Sequence, residues 1–268
     1  MPLIATKGAA SAQGFGLFLA GEGADGTRGI FALGATSGGG VDTRNKYTYS
    51  TCASTASGVA SASAASQRGS AAGNSTRGIF ALGLKVSGGR SNTRDKYTYA
   101  SCTSTSCGVG TASASSQKGS ATGNSTIGIF ALGCRVSICK STTRNKYTYA
   151  SCTSTACGVG TASFASDSGS AVGNSTRGIF SLGPNTCGQY TTTRNKYTYA
   201  SCTSTACGVG AASATSGAGA AAGNSTRGII AIGFSQVAGG ATTTRNKYTY
   251  SSCTSTASGG AVSSVGSY

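Results

Sequence analysis

A block of about 50 residues returns five times along this chain, and a period of that size marks a solenoid, a propeller or an array. Thr-Arg-Gly-Ile-Phe-Ala-Leu-Gly begins at Thr27. It returns at Thr76, at Thr126 (with Ile127 for Arg), at Thr176, and at Thr226 as Thr-Arg-Gly-Ile-Ile-Ala-Ile-Gly. A second phrase, Arg-Asn-Lys-Tyr-Thr-Tyr, begins at Arg44, Arg94 (with Asp95), Arg144, Arg194 and Arg245. Five copies fill the sequence, so the expectation is one five-repeat domain spanning residues 1–268.

Each block reads as all-β. Gly29-Ile30-Phe31-Ala32-Leu33-Gly34 is a short apolar strand between glycines. Alternation sends Ile30 and Ala32 to one face, Phe31 and Leu33 to the other. Both sets are apolar, so the strand is predicted to be covered on both sides. Lys46-Tyr47-Thr48-Tyr49 is predicted as the next strand, being rich in β-formers. Gly108-Val109-Gly110-Thr111-Ala112-Ser113-Ala114 is predicted as a third, with small side chains. Gly73-Asn74-Ser75 and its copies read as the tight turn into the apolar strand. No segment carries a helical period.

Three or four short strands per block, covered on both faces, suit one blade of a β-propeller. The expected fold is therefore an all-β, five-bladed β-propeller, with Tyr47 and Tyr49 and their copies between blades. A β-helix or solenoid is the alternative, because small residues also suit stacked coils. The two ends look complementary: Phe15-Gly16-Leu17-Phe18-Leu19-Ala20 precedes the first apolar phrase, and Gly259-Gly260-Ala261-Val262-Ser263-Ser264 follows the last block. Pairing the N- and C-termini within one blade would close a ring and remove an open sheet edge.

Net charge is +16, from 21 Lys/Arg against 5 Asp/Glu. Of the basic residues, 14 occupy three repeating slots: Arg28, Arg77, Arg177 and Arg227; Arg44, Arg94, Arg144, Arg194 and Arg245; Lys46, Lys96, Lys146, Lys196 and Lys247. Repeated in space, the last two slots become rows of positive charge, and those ten residues are the candidate partner-binding set for an acidic protein surface. The alternative is that they serve solubility. Aromatic residues are not interleaved with them for base stacking, so nothing points to nucleic acid. The first residues, Met-Pro-Leu-Ile-Ala-Thr-Lys-Gly, lack a signal-peptide apolar core, and no stretch approaches the length of a membrane span.

Eleven cysteines form a second pattern. Cys102 and Cys107, Cys152 and Cys157, and Cys202 and Cys207 are three Cys-x4-Cys pairs; Cys134 and Cys139 repeat that spacing in a loop. All eight are disulfide candidates, with reduced packing thiols as the alternative. Cys187, alone in its loop, is the candidate free or intermolecular thiol. The chain has no histidine. That excludes Ser-His-Asp and Cys-His catalysis and disfavours a zinc site. Glu22, Asp25, Asp42, Asp95 and Asp167 do not recur in register, so no paired-carboxylate site is signalled. No enzyme activity, cofactor or metal is expected.

The order of small-residue strand, turn, Ile-Phe-Ala-Leu-Gly, loop and Lys-Tyr-Thr-Tyr is similar to a kelch blade. It resembles still more the Gly/Ala/Ser/Thr-rich propeller repeats of tail fibres and other appendages of bacterial viruses, in phrases such as Gly-Asn-Ser-Thr-x-Gly-Ile-Phe. The resemblance covers residues from about Ala9 to Tyr268. The chain departs from kelch in lacking Trp and a double glycine after Leu33. The resemblance implies a non-enzymatic bacteriophage virion protein of the tail, collar or fibre, made in the host cytoplasm without a signal peptide. Its expected partners are other virion proteins, and a host surface glycan if it is adhesive. A carbohydrate-binding propeller lectin is the alternative function.

Overall fold

A computed structural model describes residues 28–32, 34–36, 39–48, 50–56, 61–106, 110–156, 160–206, 211–235 and 240–257. Every regular element among them is a β-strand. Repeat 3 shows the pattern: Ser120–Gly123, Ile127–Ala131, Arg144–Thr148 and Thr153–Ala156 form a four-stranded antiparallel meander in that order. Repeat 2 (Ser70–Gly73, Arg77–Ala81, Arg94–Thr98, Thr103–Ser106) and repeat 4 (Ser170–Gly173, Arg177–Ser181, Arg194–Thr198, Thr203–Ala206) match it. Repeat 5 keeps the order with longer central strands, Arg227–Ser235 and Gly240–Thr249, between Ala221–Gly223 and Thr254–Ala257. In repeat 1 the corresponding sheet has three described strands, Arg28–Ala32, Arg44–Thr48 and Ala53–Ala56, and a short pair, Ala35–Thr36 with Gly39–Gly40, lies in the loop between the first two. The segments expected to close a ring fall in residues 1–27 and 258–268, outside the described residues.

One expected strand is misplaced. Residues 110–115 are irregular, and the small-residue strand follows at Ser120–Gly123. The reason is steric. A Cβ on Gly110 would lie 2.3 Å from the Tyr147 ring and 2.7 Å from the Cys152 carbonyl, so the connection is pressed against the next repeat. Gly110 serves close approach instead of sheet pairing.

The register decides which side chains share a face. Ile129 pairs with Lys146 and Ala131 with Arg144, so Ile129, Arg144 and Lys146 lie on one face; Phe130 pairs with Asn145 and Gly128 with Tyr147, so Phe130, Asn145 and Tyr147 lie on the other. Successive sheets stack with the isoleucine face of one on the aromatic face of the next. Ile30 packs with Phe80 and Tyr97, Ile79 with Phe130 and Tyr147, Ile129 with Phe180 and Tyr197, and Ile179 with Ile230 and Tyr248. Each such side chain contributes roughly 1.5–3 kcal/mol on burial. The apolar strand is thus covered on both sides as its composition demands, and the tyrosines lie between sheets.

The stack is tapered. Sheets approach most closely along their first strands, where the facing residues are Ala72, Thr122 and Val172. Tyrosine and arginine fill the wider space at the third strands. The tightness explains the glycines of Gly-Asn-Ser-Thr-x-Gly. Gly123 and Gly128 are cross-strand partners, and Tyr149 lies over them; a Cβ on either would come within 2.6–2.9 Å of its hydroxyl. The asparagine between them makes the turn. Asn124 Oδ1 accepts from the amides of Thr126 (2.9 Å) and Ile127 (2.9 Å), and its Nδ2 donates to the Ser175 carbonyl of the next repeat (3.1 Å).

A second ladder runs along the connections into the first strands. The amide of Lys118 donates to the Arg68 carbonyl (2.9 Å), Ser168 to Lys118 (2.9 Å) and Ala218 to Ser168 (2.8 Å). All four residues hold φ between 52° and 57°. The glycine ending Ile-Phe-Ala-Leu-Gly makes room beside it: Gly133 has φ +65°, and a Cβ there would meet the Lys118 carbonyl oxygen at 2.4 Å.

Candidate functional site

Each joint between sheets is locked by one arginine from the start of the third strand. Arg144 is fully buried. Its Nη1 donates to the carbonyls of Gly160 (2.9 Å) and Thr161 (3.1 Å) and to Ser204 Oγ (2.5 Å); Nη2 donates to Asn195 Oδ1 (3.1 Å). The guanidinium lies 4.4 Å from the centroid of the Phe180 ring. Arg94 repeats this with Gly110, Ser154, Asn145 and Phe130, and Arg194 with Ala211, Ser255 and Asn246. The clasp therefore combines carbonyl and hydroxyl dipoles with an aromatic face that attracts a cation. Without them a buried charge would be prohibitively costly.

The first joint differs in one partner. Arg44 Nη2 meets Asp95 Oδ2 at 2.9 Å, with both side chains buried. Burial pushes the Arg44 guanidinium below its ordinary value, and the Asp95 carboxylate pulls it part of the way back. Asp95 also accepts from the amide (2.8 Å) and hydroxyl (2.7 Å) of Ser63. At the next joint, Asn145 Nδ2 donates to Ser113 Oγ (2.9 Å), so the serine hydroxyl exchanges donor for acceptor.

These positions correct the charge expectation. Arg44, Arg94, Arg144 and Arg194 are not available to a partner; they lie inside the joints. Lys46, Lys96, Lys146, Lys196 and Lys247 are half-buried on the same faces. Arg245 alone of its row is half-buried, because no sheet of the described residues covers its face. The isoleucine of that face tells the same story: Ile79, Ile129 and Ile179 are fully buried, whereas Ile229 is 40% exposed. At the opposite end, Asn45 and Tyr47 are half-buried and Ser54 is exposed. Their counterparts Asn145, Asn195 and Asn246, and Tyr97, Tyr147, Tyr197 and Tyr248, are at 0%. The array thus presents two unlike outward faces, and these form the candidate site.

The clasp partners were not singled out by sequence reasoning. Their signal was nevertheless present, since a serine and an Asn or Asp recur at nearly constant distances after each arginine, and a phenylalanine after the first three. Elsewhere, the loops joining second and third strands expose Val86, Val136 and Ile138. Arg90 donates to the Arg135 carbonyl (2.9 Å), and Lys140 to the Asn185 carbonyl, so neighbouring loops are tied together.

The cysteines divide by position. Cys102, Cys152 and Cys202 sit in the turns after the third strands, with φ of 52–53°; each thiol lies 3.8–3.9 Å from the carbonyl oxygen three residues earlier. Their expected partners, Cys107, Cys157 and Cys207, lie outside the described residues. Cys134 and Cys139 are not bridged. Cys134 is buried, and burial pushes its thiol pKa up; Cys139 is exposed. Cys187, the candidate free or intermolecular thiol, is exposed. Among the described residues no group of three or more His, Cys, Asp or Glu gathers as a metal site, and no helix is long and apolar enough to cross a membrane. No protein-family model matches the chain, and no curated protein matches it at a significant level.

Proposed function

We propose that this chain is a non-enzymatic structural subunit of a bacteriophage virion, in a tail, collar or fibre-associated appendage, acting as a rigid protein-binding or host-adhesion element. The observation that carries this is the repeated clasp. At each of the four joints a guanidinium is buried against hydroxyl and carbonyl acceptors and an aromatic ring, which is the construction of a stiff scaffold. The taper of the sheets supports a propeller reading, with the first strands near an axis and the five sheets as its blades. A closed five-bladed ring requires the face of repeat 5 to be covered by that of repeat 1.

Partner contact then falls to surfaces other than the arginine row. The loop end offers apolar Val86, Val136 and Ile138 beside Lys85, Arg135 and Lys140, a combination suited to an acidic protein surface. Tyr97, Tyr147, Tyr197 and Tyr248 lie inside the stack, so the lectin reading has no repeated aromatic platform among them. Cross-linking of purified particles followed by mass spectrometry tests the proposal. The expected result is cross-links from Lys85, Lys118 and Lys140 to other virion proteins. Absence of the protein from any particle sinks it.

A further inference from the structure

The two outward faces are the two halves of a joint that the chain makes four times internally. We infer that repeat 5 of one chain receives repeat 1 of a second copy, so that copies join head to tail through a fifth arginine clasp. Repeat 5 supplies the isoleucine face, with Ile229 exposed and Arg245 making no hydrogen bond among the described residues. Repeat 1 supplies the aromatic face. There Asn45, Tyr47 and Ser54 occupy the positions that Asn145, Tyr147 and Ser154 occupy in repeat 3. The interior joints show what those groups do. The guanidinium takes the amide oxygen and the serine hydroxyl, and the isoleucine packs on the tyrosine. Asn45 carries the same neutral amide that serves Arg94, Arg144 and Arg194, so the new joint needs no carboxylate.

Three observations favour a second copy over an unrelated partner. The exposed groups match a known counterpart in kind and register, and that counterpart lies on this chain. The two faces of one chain do not meet among the described residues. A face that buried no partner would leave Ile229 in water beside the half-buried Arg245, where the interior copies of both are fully buried. The contact is heterologous, so it propagates as a filament or closes as a ring of copies; it does not stop at a symmetric pair. A head-to-tail joint takes both faces as open within one chain, so it is the alternative to a closed five-bladed ring and does not depend on the virion reading.

Sedimentation of the full-length protein across a concentration series, with reductant present to exclude bridges through Cys139 or Cys187, tests it. The average mass of the wild type should rise with concentration. Ile229→Asp combined with Arg245→Ala, and separately Asn45→Arg, should each weaken self-association by about tenfold or more, which is the effect of roughly 1.4 kcal/mol per joint. Mixed in equal amounts, the two variants retain one good face each and should form a one-to-one pair that neither forms alone. All three substituted positions are partly exposed in the single chain, so circular dichroism should match the wild type and separate misfolding from lost association. Three results overturn the inference. They are a wild type that stays at monomer mass throughout, variants that associate as well as the wild type, and variants that melt lower than a monomeric wild type. The last would mean that repeat 1 of the same chain fills the face.

Discussion

The joint between repeats 1 and 2 and the joint between repeats 3 and 4 perform one task with different electrostatics. Both bury an arginine in the same cage of serine, carbonyl and phenyl ring. The first adds a carboxylate, Asp95; the second uses the amide of Asn195. A buried ion pair does not usually stabilise more than a neutral contact of the same shape, because desolvation offsets the Coulomb gain. The three amide joints show that the cage itself holds the cation. They also show why the amide suffices: its oxygen accepts from the guanidinium and its nitrogen reaches a serine, so both ends of the side chain are used.

The comparison can be broken most sharply by removing the cation. Arg44→Ala leaves the Asp95 carboxylate buried with only serine donors, and a loss of about 3–5 kcal/mol is expected in chemical denaturation. Arg144→Ala leaves neutral groups behind, so about 2–4 kcal/mol is expected. Equal losses at the two sites would mean that the charge of Asp95 does not matter.

The buried tyrosines sharpen a second contrast, between joints that satisfy a hydroxyl and joints that do not. Tyr199 Oη reaches Thr122 Oγ1 (3.3 Å), whereas the hydroxyls of Tyr149 and Tyr250 are buried without a partner. Burial raises the pKa of Tyr149 well above its ordinary value of 10.0. Below pH 10 folded and unfolded chains both keep the proton, and stability is fully present. Above pH 10 the unfolded tyrosine ionises first, so stability falls as pH rises. Tyr149→Phe should flatten that alkaline fall and cost nothing measurable at pH 7; an unchanged slope in pH-dependent melting would refute the burial argument. Val172→Thr places a hydroxyl at the position equivalent to Thr122, and a gain of about 0.5–1.5 kcal/mol is expected through Tyr250. Asp95→Asn makes the first joint like the others. A loss under about 1 kcal/mol is expected, and a larger one would give the ion pair a role that the cage argument denies it.

Much of this architecture was legible in the residues. Ile and Phe alternate in a strand with apolar residues on both sides, so two-sided cover followed directly. Gly-Asn-Ser-Thr announced its turn, because asparagine oxygen can replace a backbone acceptor two and three residues on. The arginines were misread for an equally physical reason: arginine is almost never fully buried, so a recurring arginine row suggests a rim. The corrective clue was alternation. Arg144 and Lys146 share a face with Ile129, and a face that buries isoleucine must bury or thread whatever accompanies it. Of the strand expected at Gly108–Ala114, the described residues 110–114 form a connection instead, because small residues fit a tight crossing as well as a strand and composition does not separate the two. Asn45 and Arg245 carry the same local sequence as their interior copies. Only the end of the array distinguishes them, and local sequence does not show an end.

The spacing of the clasp has a consequence for how such a chain changes over generations. Arginine and its amide or carboxylate partner are 51 residues apart at the first three joints and 52 at the fourth; arginine and serine are 60 apart, then 61. In the sequence the extra residue falls between Thr226 and Arg245, and the clasp stays intact. An in-frame tandem duplication of one interior block would therefore add a complete joint and disturb none. Selection can set the length of the array by counting units.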